Sequence, residues 1–194
     1  MAEGVVPLPA ADVPRLSLRG AWWVLLPVAA LVLAIRSHVL WYLNYVHVFS
    51  AILWTGTDIF MGFVLGPILR RLDLPARRAV LVRLMPRMLV FMPTVSIVTT
   101  TAGWYLAEWL GLFQLPPPQI WWLWGALAIV GVMTVQGLGI LLPTNLRVYF
   151  EMRRPQPDGE RLGRLMRRYT AVVAVQGILQ VATIFIMAHF ATGM

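Results

Sequence analysis

Apolar residues run along this chain in five blocks, at 21–35, 39–69, 88–113, 120–146 and 169–191, with short polar or proline-bearing breaks between them. A helix that crosses the hydrocarbon core of a bilayer needs about 20 apolar residues. The last four blocks reach that length, and the first, between Arg19 and Arg36, falls short of it. A cleaved signal sequence is a poor account of the first block, because "AIRSHV" offers no small-x-small site; it reads as a short or tilted span. The pattern predicts an all-α integral membrane protein with five transmembrane helices. These form one transmembrane domain over 20–194, behind an N-terminal segment 1–19.

The breaks orient the spans. The connection 70–87, "RRLDLPARRAVLVRLMPR", holds six arginines and one acid, and 147–168, "RVYFEMRRPQPDGERLGRLMRR", holds seven arginines and three acids. Excess basic charge marks the cytoplasmic side, so both connections are expected there as loops. The uncharged "FQLPPPQ" is expected outside. The N-terminus is then cytoplasmic and the C-terminus external, in a bacterial inner membrane. Trp41, Trp104, Trp109, Trp121 and Trp124 fall near the external ends, where an interfacial aromatic belt would sit.

Composition narrows the chemistry. The chain is 59% hydrophobic and 12% charged, with a net charge of +8. Its arginines flank apolar runs, where they set topology and touch anionic lipid, and they make no basic face for nucleic acid. There is no cysteine, which removes disulfides, thiolate metal sites, iron–sulfur clusters and covalent haem. A metal would depend on the three histidines, the carboxylates or the ten methionines.

A short repeat aligns the spans. "RLMPR" (Arg83–Arg87) leads into the third and "RLMRR" (Arg164–Arg168) into the fifth, while the second and fourth end with Pro67 and Arg71, and with Pro143 and Arg147. Helices 2–5 are therefore expected to be a four-helix bundle from a duplicated helical hairpin, its axis along the membrane normal. In this register Glu108 and His189 are equivalent, each 25 residues past its "RLM" arginine. At about 1.5 Å per residue, His47, Glu108 and His189 all fall roughly 30–34 Å from the basic boundary.

The second span carries Asn44, His47, Trp54 and Asp58 at helical spacing, flanked by Ser50. Ionisable groups within a membrane face a bundle interior or a water cavity. Asp58, about 16 Å deeper than His47, is expected near mid-membrane. A neutral carboxyl, a proton or polar relay with Asn44, or a hydrogen bond from Thr99–Thr101 would each accommodate it. His38, beside Arg36 at the span boundary, reads as solvated.

The stretch "YLNYVHVFSAILWTG", with His47 and Trp54 seven residues apart, resembles the first core helix of a superfamily of small haem-associated membrane proteins: HemJ-type protoporphyrinogen oxidases, CopD-like membrane domains and the membrane part of PuuD-type urate oxidases. "MPTVSIVTTTAGWYL" looks like their next helix. The resemblance implies a bundle in which His47 is an axial ligand to haem b. The later lysine of HemJ-type enzymes has no counterpart, since this chain has no lysine. His189 or Glu108 would complete the site, with Trp54 beside it.

The leading expectation is a membrane b-type cytochrome-like protein. It would bind haem near the outer side through His47 and His189, and exchange electrons with a quinone or a partner redox subunit. One alternative is a cofactor-free structural or assembly subunit, paired with other membrane subunits or with its own copy. Another is a copper or small-solute transporter whose path is lined by Asp58 and by methionines such as Met88 and Met92, since thioethers suit Cu(I).

Overall fold

The computed structural model describes residues 22–154 and 156–192, and among these it is entirely helical. Five helices follow one another: α1 (Trp22–Ser37), α2 (Leu40–Arg71), α3 (Leu74–Trp109), α4 (Ile120–Met152) and α5 (Gly159–Thr192). The last four are long and apolar enough to cross a membrane, and α1 is about half the length of α2. Large apolar side chains stand exposed all round the bundle, among them Ile52, Phe63, Val135, Ile178 and Phe185. An apolar coat on that scale suits lipid and would be a liability in water. The expected N-terminal segment 1–19 lies outside the described residues.

The helices extend further than the apolar blocks. The stretches 70–87 and 147–168, expected as loops, are mostly helix: α3 begins at Leu74 and α5 at Gly159, while α4 runs on to Met152. Arginine is a good helix former, and each return is opened by an aspartate. Asp73 Oδ1 accepts the Ala76 N–H at 3.0 Å, with Pro75 in the first turn, and Asp158 Oδ1 accepts the Arg161 N–H at 3.0 Å. These are N-caps that satisfy otherwise unpaired helix donors. The Arg161 N–H, first among several groups, holds the Asp158 carboxyl below the usual carboxylate range.

Two wide π-helical turns interrupt the long helices, Phe60–Leu65 in α2 and Gly137–Leu141 in α4. Each lies just ahead of a proline, Pro67 or Pro143, at the start of the following α-helical stretch. Proline has no N–H to close the α-helical bond four residues back, so the preceding turn re-pairs in a wider register.

Buried apolar side chains gather at both ends. At the arginine end, Leu81, Met85, Val148, Tyr149 and Met152 are buried together with Leu69 and Leu162, drawing in all four long helices. Near the aromatic end, α1 lies over α2 and α3 through Leu31, Ala34, Leu43, Val98 and Ala102. Trp23 stops against Phe91, with ring centroids 5.9 Å apart. α3 meets α4 chiefly along Leu142–Met152. Between the two ends the bundle is left open inside.

Candidate functional site: the cavity beside Asp58

That opening is a cavity of about 220 Å³ walled by all four long helices. Trp54 and Asp58 enter from α2, Met88, Met92, Thr100 and Thr101 from α3, Met133 and Asn145 from α4, and Tyr169 and Gln176 from α5. Trp54, packed with Val95 and Met133, forms part of the floor. The lining mixes thioethers and apolar carbons with hydroxyls, amides and one carboxylate, as binding pockets commonly do.

Asp58 is buried, with 5% of its surface exposed. Its Oδ2 accepts two hydrogen bonds, from Gln176 Nε2 at 2.9 Å and from Gln180 Nε2 at 2.8 Å. The two glutamines are one turn apart on α5, so both amides reach the same oxygen. Asp58 thus joins the first helix of one hairpin to the second helix of the other. Of the accommodations expected from the sequence, a hydrogen bond holds, but its donors are the glutamines. Thr99 instead donates to Ser50 Oγ at 2.9 Å and to the Val95 carbonyl at 2.7 Å, while Thr100 and Thr101 face the cavity. The sequence signal for the glutamines is "VQGILQ", two amides at i and i+4 inside an apolar span. Polar side chains in such a span commonly bridge helices. It escapes a search confined to ionisable residues.

The other expected site residues lie elsewhere. His47 is half-buried at the α2–α3 contact, with Nδ1 2.9 Å from the Thr99 carbonyl oxygen. Its ring lies over Gly103, where a β-carbon would come within 2.8 Å of Cε1. Only glycine permits that approach. Asn44 and Glu108 are exposed. His189 stacks on Trp122, with centroids 4.3 Å apart, within the α4–α5 hairpin. His38 is exposed and stacks on Trp109 at 5.3 Å. Among the described residues no group of three or more histidines and carboxylates converges. The expected convergence of His47, Glu108 and His189 on one pocket is therefore not found among the described residues. Of the residues singled out, Trp54, Asp58, Met88 and Met92 line the cavity.

A porphyrin does not fit the cavity. No histidine lines it, and its volume is below the roughly 300–1,000 Å³ of pockets that enclose drug-sized ligands. His47 by itself has one feature of a metal ligand: with Nδ1–H committed to the Thr99 carbonyl, Nε2 is the nitrogen able to coordinate. A second depression, of about 400 Å³ between α2 and α3, is lined almost wholly by apolar side chains such as Ile52, Phe60 and Phe91. It offers space for a lipid chain and no chemistry.

No protein-family model, curated protein or solved structure matches the chain.

Proposed function

We propose that this chain is an integral protein of the bacterial cytoplasmic membrane, with its arginine end in the cytoplasm, that carries a small solute through the cavity around Asp58. The observation that supports the reading most is the buried Asp58 carboxylate, hydrogen-bonded on one oxygen and facing a cavity walled by four long apolar helices. Burial of an ionisable group at such depth is expensive and is a mark of solute, ion or proton pathways. The bundle also has the form of a duplicated hairpin: α2 and α4 each carry a π turn followed by proline, and α3 and α5 each start from an aspartate cap. A cavity between two repeated units is where carriers bind their cargo. Met88, Met92 and Met133 add thioethers to the lining, so a soft metal ion such as Cu(I) is one cargo the walls suit.

The test is uptake into vesicles containing the purified protein, against protein-free vesicles, with Cu(I) and a panel of small amino-acid and amine solutes. Saturable uptake of one of them is expected, abolished by Asp58→Asn and slowed by Ser96→Phe, which fills the cavity from its α3 wall. Uptake at the protein-free rate across the panel overturns the reading.

His47 favours a second reading, a haem b bound outside the cavity at the α2–α3 face through Nε2. The orienting bond from Nδ1 to the Thr99 carbonyl supports it. Haem there would supply one-electron transfer to a quinone or a redox partner. A Soret band in the purified protein that disappears in His47→Ala supports this reading. A protein still colourless after incubation with haem sinks it.

A further inference from the structure

We infer that Asp58, Gln176 and Gln180 form a binding site for a compact monovalent cation, an alkali-metal ion or ammonium, at the edge of the cavity. The inference rests on the carrier reading above and names the ion that accompanies or constitutes its cargo.

The first observation is an imbalance of charge. Among the described residues the ion pairs are Glu151 with Arg154 and with Arg161, and Glu160 with Arg164, all at the arginine end. None reaches Asp58, whose hydrogen-bond partners are neutral amides. A buried carboxylate in that position is costly until a positive charge joins it.

The second observation is an imbalance of acceptors. The Oε1 atoms of Gln176 and Gln180 are fully enclosed, and among the described residues no donor meets either of them. The two side chains are 2% and 3% exposed. Buried amide oxygens are nearly always paired, and an exception calls for an explanation. The cluster therefore holds one carboxylate and two amide carbonyls, and the donors that it does have are spent on a single carboxylate oxygen. A half-turn about the last side-chain bond of either glutamine exchanges its N–H₂ for its carbonyl. That motion turns the amide oxygens toward an ion resting on Asp58 and withdraws the two donors that stand in for it.

The donor set fixes the kind of ion. Carboxylate and carbonyl oxygens suit hard cations, whereas soft metals prefer sulfur or imidazole. One carboxylate neutralises one positive charge, and a divalent ion would leave a net charge inside an apolar bundle. Asp58 and Gln176 both line the cavity, which gives the ion its route in. The π turn Phe60–Leu65 begins two residues beyond Asp58 and lets this part of α2 adjust as the ion is taken up.

The experiment is thermal unfolding of the full chain in detergent, titrated with NaCl, KCl or NH₄Cl against N-methyl-D-glucamine chloride at constant ionic strength. No solute is present. A saturable rise in Tm with at least one compact cation is expected, and the bulky cation gives none. Comparison of the three salts separates a metal ion from ammonium. Asp58→Asn removes the response, and Gln180→Leu or Gln176→Leu shifts its midpoint concentration at least tenfold upward. Identical curves for all four salts, or an undiminished response in Asp58→Asn, overturn the site. Should Asp58→Asn not fold, the two glutamine variants decide, and unchanged midpoints in both overturn it equally. A cation response without any solute uptake removes the carrier reading alone. Uptake without a cation response removes the cation site alone.

Discussion

Among the described residues, buried charged side chains occur in two places in this bundle, and they are treated in opposite ways. At the arginine end, Glu151 and Arg78 are as deeply enclosed as Asp58, Gln176 and Gln180 are at the cavity, with exposures of 2–6% throughout. Glu151 lies 3.3 Å from both Arg154 and Arg161 and also accepts the Asp158 N–H at 3.2 Å. Arg78 donates from Nε to the Met152 carbonyl and from Nη2 to the Arg154 carbonyl, each at 2.9 Å, and so caps the end of α4 from α3. At the cavity a carboxylate meets only amides, and two amide oxygens meet nothing among the described residues. A polar group that is buried and satisfied locks helices together; one that is buried and short of partners is held ready for something that arrives.

If this contrast is right, the arginine end should be the costlier to disturb. The largest effect is expected from Arg78→Ala, which strips the Met152 and Arg154 carbonyls of their donor and leaves a void, at about 2–4 kcal/mol. Arg78→Lys should recover little, because a single ammonium does not reproduce the two-pronged guanidinium. Denaturant unfolding in detergent measures both. A cost below ~1 kcal/mol for Arg78→Ala would remove the arginine end as the anchor of the bundle.

Gly103→Ala comes next. Its new methyl group would press on the His47 ring and strain the bond to the Thr99 carbonyl. About 1–3 kcal/mol is expected for overpacking, and Gly103→Ala with His47→Ala should recover most of it. Failure of that recovery would show that the strain lies in the α3 backbone.

Glu151→Gln should cost less, about 1–2 kcal/mol. The carboxylate is buried, but Arg154 and Arg161 are each about half exposed, so water takes back much of their charge. The Asp158 cap should be milder still and pH-dependent. Its carboxyl is held below the usual range by the Arg161 N–H, so its stabilisation is complete above the unfolded-state pKa and is lost as pH falls through the folded one. A stability difference between wild type and Asp158→Ala that does not narrow on acidification contradicts this.

The four long helices were legible in the sequence because each holds an apolar run, of the length and surface that a membrane span would need. Their ends were not, since arginine-rich stretches such as 77–87 satisfy both a basic loop and a helix, and Asp73 and Asp158 tip the choice. Asp58 stood out because a carboxylate in an apolar run has few explanations, and Trp54 because it shares that helical face, seven residues after His47. Gln176 and Gln180 did not, because a neutral amide costs less and attracts less notice. Height along a span was also a poor guide to contact. His47, Glu108 and His189 count to one level along their spans, yet His47 is taken up by α3 and His189 by Trp122, while Glu108 is exposed.

The smallest stability effect should come from Asp58→Asn, and it tests the other half of the comparison. Asparagine keeps an oxygen to accept from Gln176 and Gln180, fills nearly the same volume and removes a charge for which the bundle supplies no partner. A change within about 1 kcal/mol, of either sign, is expected. The same variant should lose the function assigned to the cavity, so stability and uptake should separate. In Glu151→Gln they should move together, since a loosened arginine end unsettles all four walls. A loss in Asp58→Asn as large as that in Glu151→Gln would make the carboxylate a structural tie like Glu151, and the two regions would then differ in position only.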